Sequence, residues 1–167
     1  TGQLTLNDYT VALTGSASDV AAALDGSFAA PYTGTASLNN AHNLAQLKTI
    51  NNGTTGQITL NDVSVALSGS AADIKAALDG TFAAAYTGNV TINDANAQDV
   101  TAADISTIAG DTSGTVTVTH NINITGTSAA IATAVGNVDT FSGTPTAALG
   151  DAHTLAQLKA INNAIAG

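Results

Sequence analysis

The sequence predicts an α/β solenoid of parallel strands and helices, from one tandem repeat and two patterns of apolar spacing inside it. Residues 1–34 and 55–88 align without gaps and are identical at 25 of 34 positions. A repeat this close indicates that the structure is built by stacking one unit. A more divergent copy begins at Ser113. We therefore expect one repeat domain over residues 1–167, made of three long repeats of about 55 residues. These are residues 1–54, 55–112 and 113–167.

Each long repeat divides into two coils, and a Thr-Gly or Ser-Gly pair opens each coil. The six coils start at residues 1, 33, 55, 87, 113 and 142. Apolar residues then alternate with threonine, as in Leu4-Thr5-Leu6 and Val116-Thr117-Val118. This period of two predicts a strand with one buried face. The odd-numbered coils are longer, which predicts a second short strand before their helix.

A helix is predicted after the strands, because the apolar spacing changes to three and four residues, as at Val20 and Leu24. Serine or threonine precedes aspartate by three residues at three helix starts, which resembles a capping box with Asp in place of Glu. These pairs are Ser16 and Asp19, Ser70 and Asp73, and Thr101 and Asp104. Glycines such as Gly26 and Gly80 stand where a helix end favours a left-handed residue.

The helices determine how strongly the predicted solenoid curves. Strands stack about 4.8 Å apart, whereas packed helices prefer about 8 to 10 Å, so a helix on every coil bends the sheet. Alanine at many helix positions allows close approach and predicts a relatively flat solenoid. The chain opens directly on a strand without a visible polar cap, so we expect either a longer array or end-to-end or lateral stacking of copies.

Charge excludes several classes of partner. All twelve acidic residues are Asp, the three cations are Lys48, Lys75 and Lys159, and the net charge is −9. Nucleic acids and anionic lipid surfaces require Lys or Arg to replace counterions, so neither is an expected partner. No apolar run of about 18 residues predicts a membrane-spanning helix. The chain has no Cys, which excludes disulfides and thiolate metal sites.

One coil position carries asparagine in the first four coils, and the next position carries Asp or Asn. The amides of stacked asparagines can bond up and down an array, which predicts a structural ladder. Asp62 and Asp94 are expected on neighbouring coils, where facing carboxylates favour a cation between them. Calcium accepts such ligands, so Asp62, Asp94 and Asp8 are weak calcium candidates beside the alternative of solvated turn residues. The ladder residues are Asn7, Asn39, Asn61 and Asn93.

Catalytic constellations are not evident in the sequence. His42 and His153 occupy matching positions four coils apart, roughly 19 Å at strand spacing, so they do not share a metal ion. Serine and threonine are spread by the repeat, without a His and a carboxylate at a recognisable spacing. We therefore do not expect an enzyme.

The outer face of the sheet offers an alternative function. A Thr-x-Thr row on a flat parallel sheet is typical of ice-binding solenoids, and Thr115, Thr117 and Thr119 supply one. The other coils offer Gln or Asn in the flanking places. The alternative is therefore a carbohydrate- or ice-binding solenoid that uses the outer face.

The six Thr/Ser-Gly coils, with capped Ala-rich helices such as GSAADIKAALDG, resemble tandem repeats of large, acidic, secreted surface proteins of marine bacteria and cyanobacteria. Adhesin-like, motility-associated and surface-layer-like proteins are of this kind. The resemblance implies an extracellular, cell-surface role as a spacer, filament or assembly element. The glycine-rich GGxGxDxUx calcium repeat of some such proteins is missing.

Overall fold

A computed structural model describes residues 2–165, so the predicted first coil start at Thr1 and the last two residues of the third repeat lie outside the described residues. Six helices and ten short strands alternate along the chain. The helices are α1 (Ala17–Leu24), α2 (Leu44–Gly53), α3 (Ala71–Leu78), α4 (Ala102–Asp111), α5 (Ser128–Gly136) and α6 (Leu155–Ile165). The strands are β1 (Leu13–Gly15), β2 (Ala36–Leu38), β3 (Ile58–Thr59), β4 (Leu67–Gly69), β5 (Val90–Ile92), β6 (Asp99–Thr101), β7 (Val116–Val118), β8 (Asn123–Gly126), β9 (Thr140–Phe141) and β10 (Thr146–Leu149).

The strands form three parallel sheets rather than one. Their orders are β1-β2-β3, β4-β5-β7-β9 and β6-β8-β10, and each strand pairs with segments from the neighbouring turns of the chain. The α/β class and the parallel strands are thus confirmed.

The sheet is interrupted because strands and helices advance by different numbers of residues. Leu13 pairs with Ala36, 23 residues later, whereas α1 and α2 begin at Ala17 and Leu44, 27 residues apart. Each step therefore moves the paired strand about four residues further from its helix. β1 ends two residues before α1, but β3 ends twelve residues before α3. A new ladder then starts at β4, beside α3.

Two strands were not predicted from the sequence. β6 and β9 give the fourth and sixth coils a second strand, although the even-numbered coils were expected to have one. β6 is only three residues long, and its Val100 is 4 % exposed between two polar neighbours. So short an alternation is not distinguishable from a loop in the sequence.

Helices contact one another in chain order, from α1 against α2 to α5 against α6. Small and branched aliphatic residues fill the space between helices and strands, and two apolar clusters share Leu60 and Phe82 at their boundary. Tyr32 and Tyr86 are buried, as expected for plugs at the corners, and the Tyr86 hydroxyl donates to the Val65 carbonyl at 2.5 Å. The core is therefore continuous from coil to coil.

The expected left-handed glycines are a correction. α1 and α3 end with Asp25 and Asp79 as C-caps, one residue before Gly26 and Gly80. Among the described residues, positive φ is found at Gly126 and, outside glycine, at Ala97. These helices end in ordinary right-handed geometry, so the glycines at 26 and 80 need another explanation.

Candidate functional site

The three predicted helix starts lie where the sequence placed them. The hydroxyl of Ser16 accepts a hydrogen bond from the Asp19 backbone N–H, and Ser70 does the same for Asp73. Thr101 accepts from the Asp104 backbone N–H at 3.1 Å. The aspartate does not return the bond to the cap backbone. It accepts from the cap hydroxyl instead at Ser16 and Thr101, since an Asp side chain is one methylene shorter than Glu.

A second cap, missed in the sequence, comes from the next coil. The Asp94 carboxylate accepts from the Ala71 N–H at 2.7 Å, the first residue of α3. Asn40 caps α1 in the same way, and Asp151 caps α5 through the Ser128 N–H at 2.6 Å. These residues follow a strand and stand 23 residues after the amide they bind. Each therefore fastens one coil to the helix of the coil before it.

We expect Asp94→Ala to lower the free energy of unfolding by about 1 kcal/mol, because the Ala71 amide loses its acceptor. Asp94→Asn is the matched control, because Asn40 performs the same task at α1 and asparagine keeps an acceptor oxygen. Urea denaturation of the three proteins measures the effect. Equal losses in both variants would show that charge, rather than the cap, is responsible.

The predicted asparagine ladder is not formed among the described residues. The Asn93 amide donates to the Ser68 hydroxyl at 3.3 Å, and no hydrogen bond joins any two of the four predicted asparagines. The reason is register: Ile92 stands opposite Gly69 and Val118, which places Asn93 beside residues of other kinds. Asn7, Asn39 and Asn61 have no ladder partner among these bonds.

A different polar ladder crosses the third sheet. Asn123 donates to the Asp99 carboxylate at 2.6 Å and accepts from the Thr146 hydroxyl at 3.0 Å. These three residues stand opposite one another in β6, β8 and β10. Asparagine does bond up and down the stack, as the chemistry predicts, but at a strand start where the sequence carries no repeated asparagine.

The calcium candidates lie apart from one another. Asp8 and Asp62 each accept from the backbone N–H and hydroxyl two residues later, at Thr10 and Ser64. Asp94 is occupied at the start of α3. The register does not place Asp62 opposite Asp94, because Thr87 N–H bonds the carbonyl of Val63 beside it. Within residues 2–165, no group of three or more His, Asp or Glu side chains is arranged to hold a metal ion.

His42 lies in the core between the second and fourth coils. Its Nε2 stands 3.2 Å from the Tyr86 hydroxyl, and Nδ1 is buried without a partner in the described part of the chain. Because the tyrosine hydroxyl donates to Val65, Nε2–H is the donor to Tyr86. Burial lowers the pKa of His42, and the negative charge of Asp62 opposes that shift. Burial also raises the pKa of Tyr86.

Stability should therefore fall as pH drops from about 7.5 to 5.5. The pKa of His42 is lower in the folded chain than the ordinary value of about 6.5, so the unfolded chain takes up the proton first. The stabilisation is fully present above the unfolded pKa and is lost as pH falls toward the folded one. His42→Gln removes this pH dependence. His153→Gln, at the matching exposed position, should keep it. Urea midpoints at each pH measure the difference.

Two ion pairs join successive helices. Lys48 of α2 bonds Asp73 of α3, and Lys75 of α3 bonds Asp104 of α4 at 2.7 Å. Hydrogen bonding from Lys48 and from Lys75 lowers the pKa of Asp73 and of Asp104. The side chains are partly exposed, so each pair contributes little to stability. The largest groove, about 800 Å³ over the α2–α3 junction, has Lys75 on its wall. Its charges are thus used in stacking.

Asp111, at the end of α4, is the exception to this satisfied pattern. Its Oδ2 atom is buried without a hydrogen-bond partner among the described residues. Burial raises the pKa of Asp111, and the nearby charge of Asp79 raises it further. An isolated carboxylate is not a catalytic arrangement, since no nucleophile or base is placed against it.

The outer face of the second sheet carries one row of hydroxyls. Register aligns Ser68, Thr91, Thr117 and Thr140 on four successive strands. Thr115 and Thr119, the other members of the expected threonine row, are used differently. The Thr115 backbone N–H binds the Asn89 side chain, and the Thr119 hydroxyl turns toward the Ile92 carbonyl at 3.3 Å.

The two ends of the stack expose apolar side chains. The N-terminal face, which we define by Leu4, Val11, Leu13 and Phe28, lines a groove of about 310 Å³. Leu4 and Val11 are 53 % and 52 % exposed there. The C-terminal face is formed by Leu155 and Leu158 of α6, which are 84 % and 42 % exposed. Exposed apolar patches of this kind mark interaction surfaces.

None of the six helices is both long and apolar enough, over residues 2–165, to cross a membrane. Comparison with protein-family models, with curated proteins and with solved structures found no match for this chain. Its function therefore has to be argued from its own contacts.

Proposed function

We propose that the chain is a six-coil α/β solenoid that acts as a spacer or assembly element of an extracellular surface, filament or adhesin-type protein. One observation carries the proposal: the polar side chains serve mainly to join each coil to the next. Asn40, Asp94 and Asp151 cap the preceding helices, and Lys48 and Lys75 join successive ones. This regular use of side chains favours a structural module over an enzyme, which needs a unique convergent site.

The extracellular assignment rests on composition and on the resemblance to large acidic secreted proteins. A surface with net charge −9 repels other acidic polymers and stays soluble at high local concentration. A spacer must transmit position along its length, and the continuous core with helices in chain order suits that task.

Surface labelling of source cells tests this proposal. An antibody raised against the purified chain should decorate intact cells in electron microscopy, and brief protease treatment of those cells should remove the label. An intracellular protein serves as the control for cell integrity. Label that is seen only after the cells are broken open would overturn the extracellular role.

The alternative is carbohydrate or ice binding by the hydroxyl row Ser68, Thr91, Thr117 and Thr140. The row supports it because four hydroxyls stand in register at strand spacing. Thermal hysteresis of the purified chain tests ice binding, and a glycan array tests sugar binding. Thr91→Val and Thr117→Val should abolish either activity, and no signal in both assays would leave the structural role alone.

A further inference from the structure

We propose that the C-terminal face of one copy of this chain binds the N-terminal face of a second copy, in the geometry of the junction between α2 and α3. This names the partner for the assembly role proposed above and rests on it. The basis is an internal template: residues 44–48 and 155–159 both read LAQLK, and residues 1–34 repeat residues 55–88. Inside the chain, the LAQLK helix α2 is covered by residues 55–88. A second copy offers the same cover to α6.

Exposure of matched residues follows this template. Leu47 of α2 is 0 % exposed, and its counterpart Leu158 is 42 % exposed. On the other side, Ile58 is 1 % exposed, and its counterpart Leu4 is 53 % exposed. The sequence has kept core residues at both faces, although nothing in the described chain covers them. Joining the two faces would bury both sets in the way that the α2–α3 junction does.

Glycines at the N-terminal face keep room for side chains from outside. A Cβ on Gly69 would lie 2.3 Å from Leu44 Cδ2, and one on Gly80 would lie 1.8 Å from Asn51 Oδ1. α2 therefore packs directly against these glycines. Their counterparts, Gly15 and Gly26, meet only atoms at 3.6 Å or beyond. Leu155 and Asn162 of a second copy are the residues that would fill those two spaces, which also explains a glycine at 26 without left-handed geometry.

Polar partners are conserved between the two faces as well. The template contains the Lys48–Asp73 ion pair, a hydrogen bond from Asn51 to the Ala76 carbonyl at 2.9 Å, and the His42–Tyr86 contact. The counterparts are divided between the faces, and Lys159, Asp19 and Asn162 are exposed. Lys159 would pair with Asp19, Asn162 with the Ala22 carbonyl, and His153 with Tyr32. A chance patch would not reproduce charge, amide and aromatic partners together.

The two faces differ, so the contact is heterologous and leaves one free face at each end. Such contacts form open chains unless the rotation closes a ring. We therefore expect filaments of coils that continue the stack from copy to copy. Two chains of charge −9 repel each other, so the measurements belong at about 0.15 M salt, where the screening length is about 8 Å.

Disulfide trapping tests the register of the contact. The chain has no Cys, so Gly26→Cys and Asn162→Cys each introduce a single thiol. When the two variants are mixed and oxidised, the mixed dimer should exceed both homodimers severalfold, because the template brings Asn51 Cγ to 2.8 Å from a Gly80 Cβ. Gly110→Cys, which has open space in α4, is the control partner and should give no such excess. A statistical mixture of dimers would overturn the proposed register.

Complementary variants test the polarity of the contact. Leu4→Asp damages only the N-terminal face and Leu158→Asp only the C-terminal face, and both positions are exposed in the monomer. In sedimentation experiments, wild type should show concentration-dependent assemblies and each variant alone should be monomeric. An equimolar mixture should form dimers and nothing larger. Circular dichroism verifies that both variants are folded.

Three results would overturn the proposal: a wild-type chain that stays monomeric at about 1 mM, variants that assemble as wild type does, or a mixture that stays monomeric. These outcomes are separable from the surface-labelling experiment. Cell-surface label together with a monomeric chain would remove this contact and keep the extracellular role, whereas assembly without surface label would do the reverse.

Discussion

Gly88→Ala is expected to lower the free energy of unfolding by about 3 kcal/mol, one of the largest effects in the chain. A Cβ on Gly88 would lie 2.1 Å from the Val65 carbonyl oxygen and 2.8 Å from Tyr86 Cε1. The carbonyl belongs to the backbone of the preceding coil and is held by the Tyr86 hydroxyl. Since neither group has a flexible end that can move aside, the two coils must separate locally.

Gly110→Ala is the matched control for this prediction. Gly110 lies in α4, and an added Cβ meets nothing within 4 Å. Alanine is the better helix former by about 1 kcal/mol, so this variant should be as stable as wild type or more stable. Thermal or urea unfolding of both variants measures the opposite signs. A loss of stability in both would mean that chain stiffness rather than contact between coils decides the result.

Leu47→Ala is expected to cost about 3 kcal/mol, whereas Leu158→Ala should cost about 1 kcal/mol or less. The two leucines stand at the same place in the LAQLK helices, but Leu47 is 0 % exposed and Leu158 is 42 % exposed. Truncating a fully buried leucine loses its transfer free energy and leaves a cavity. A half-exposed side chain has less contact to lose and leaves no enclosed void.

Urea denaturation at low micromolar concentration, where the copies remain separate, measures this pair of variants. Both changes keep helix propensity nearly constant, so the difference reports the covering coil alone. Equal costs would mean that α6 is covered in solution even at that concentration, or that α2 is less closely covered than the structure has it.

Much of the local structure follows from the residues. The change from a period of two to spacings of three and four located all six helices, and Ser16, Ser70 and Thr101 cap the helices that they were expected to cap. These features depend on neighbours within four residues, where propensity and capping chemistry act. The same reasoning failed for the asparagine ladder, because a ladder depends on register between coils rather than on position within one.

Register also decides the fate of the aspartates. Asp62 and Asp94 follow the same motif, but Asp62 closes a turn on Ser64 and Asp94 caps α3 from the next coil. A sequence read coil by coil aligns them as equivalents. The advance of about 23 residues per strand against 27 per helix breaks that equivalence, and neither number is visible until the strands are paired.

The sequence alone determined that this chain is an α/β repeat with parallel strands, because periodicity, caps and repetition are local properties. Only the tertiary structure decided how many sheets form, which side chains join the coils and which copies of a repeated residue are covered. Leu47 and Leu158 share their sequence and differ in burial. The physical reason is that burial depends on what packs against a residue, and repeated residues share neighbours in the chain but not in space.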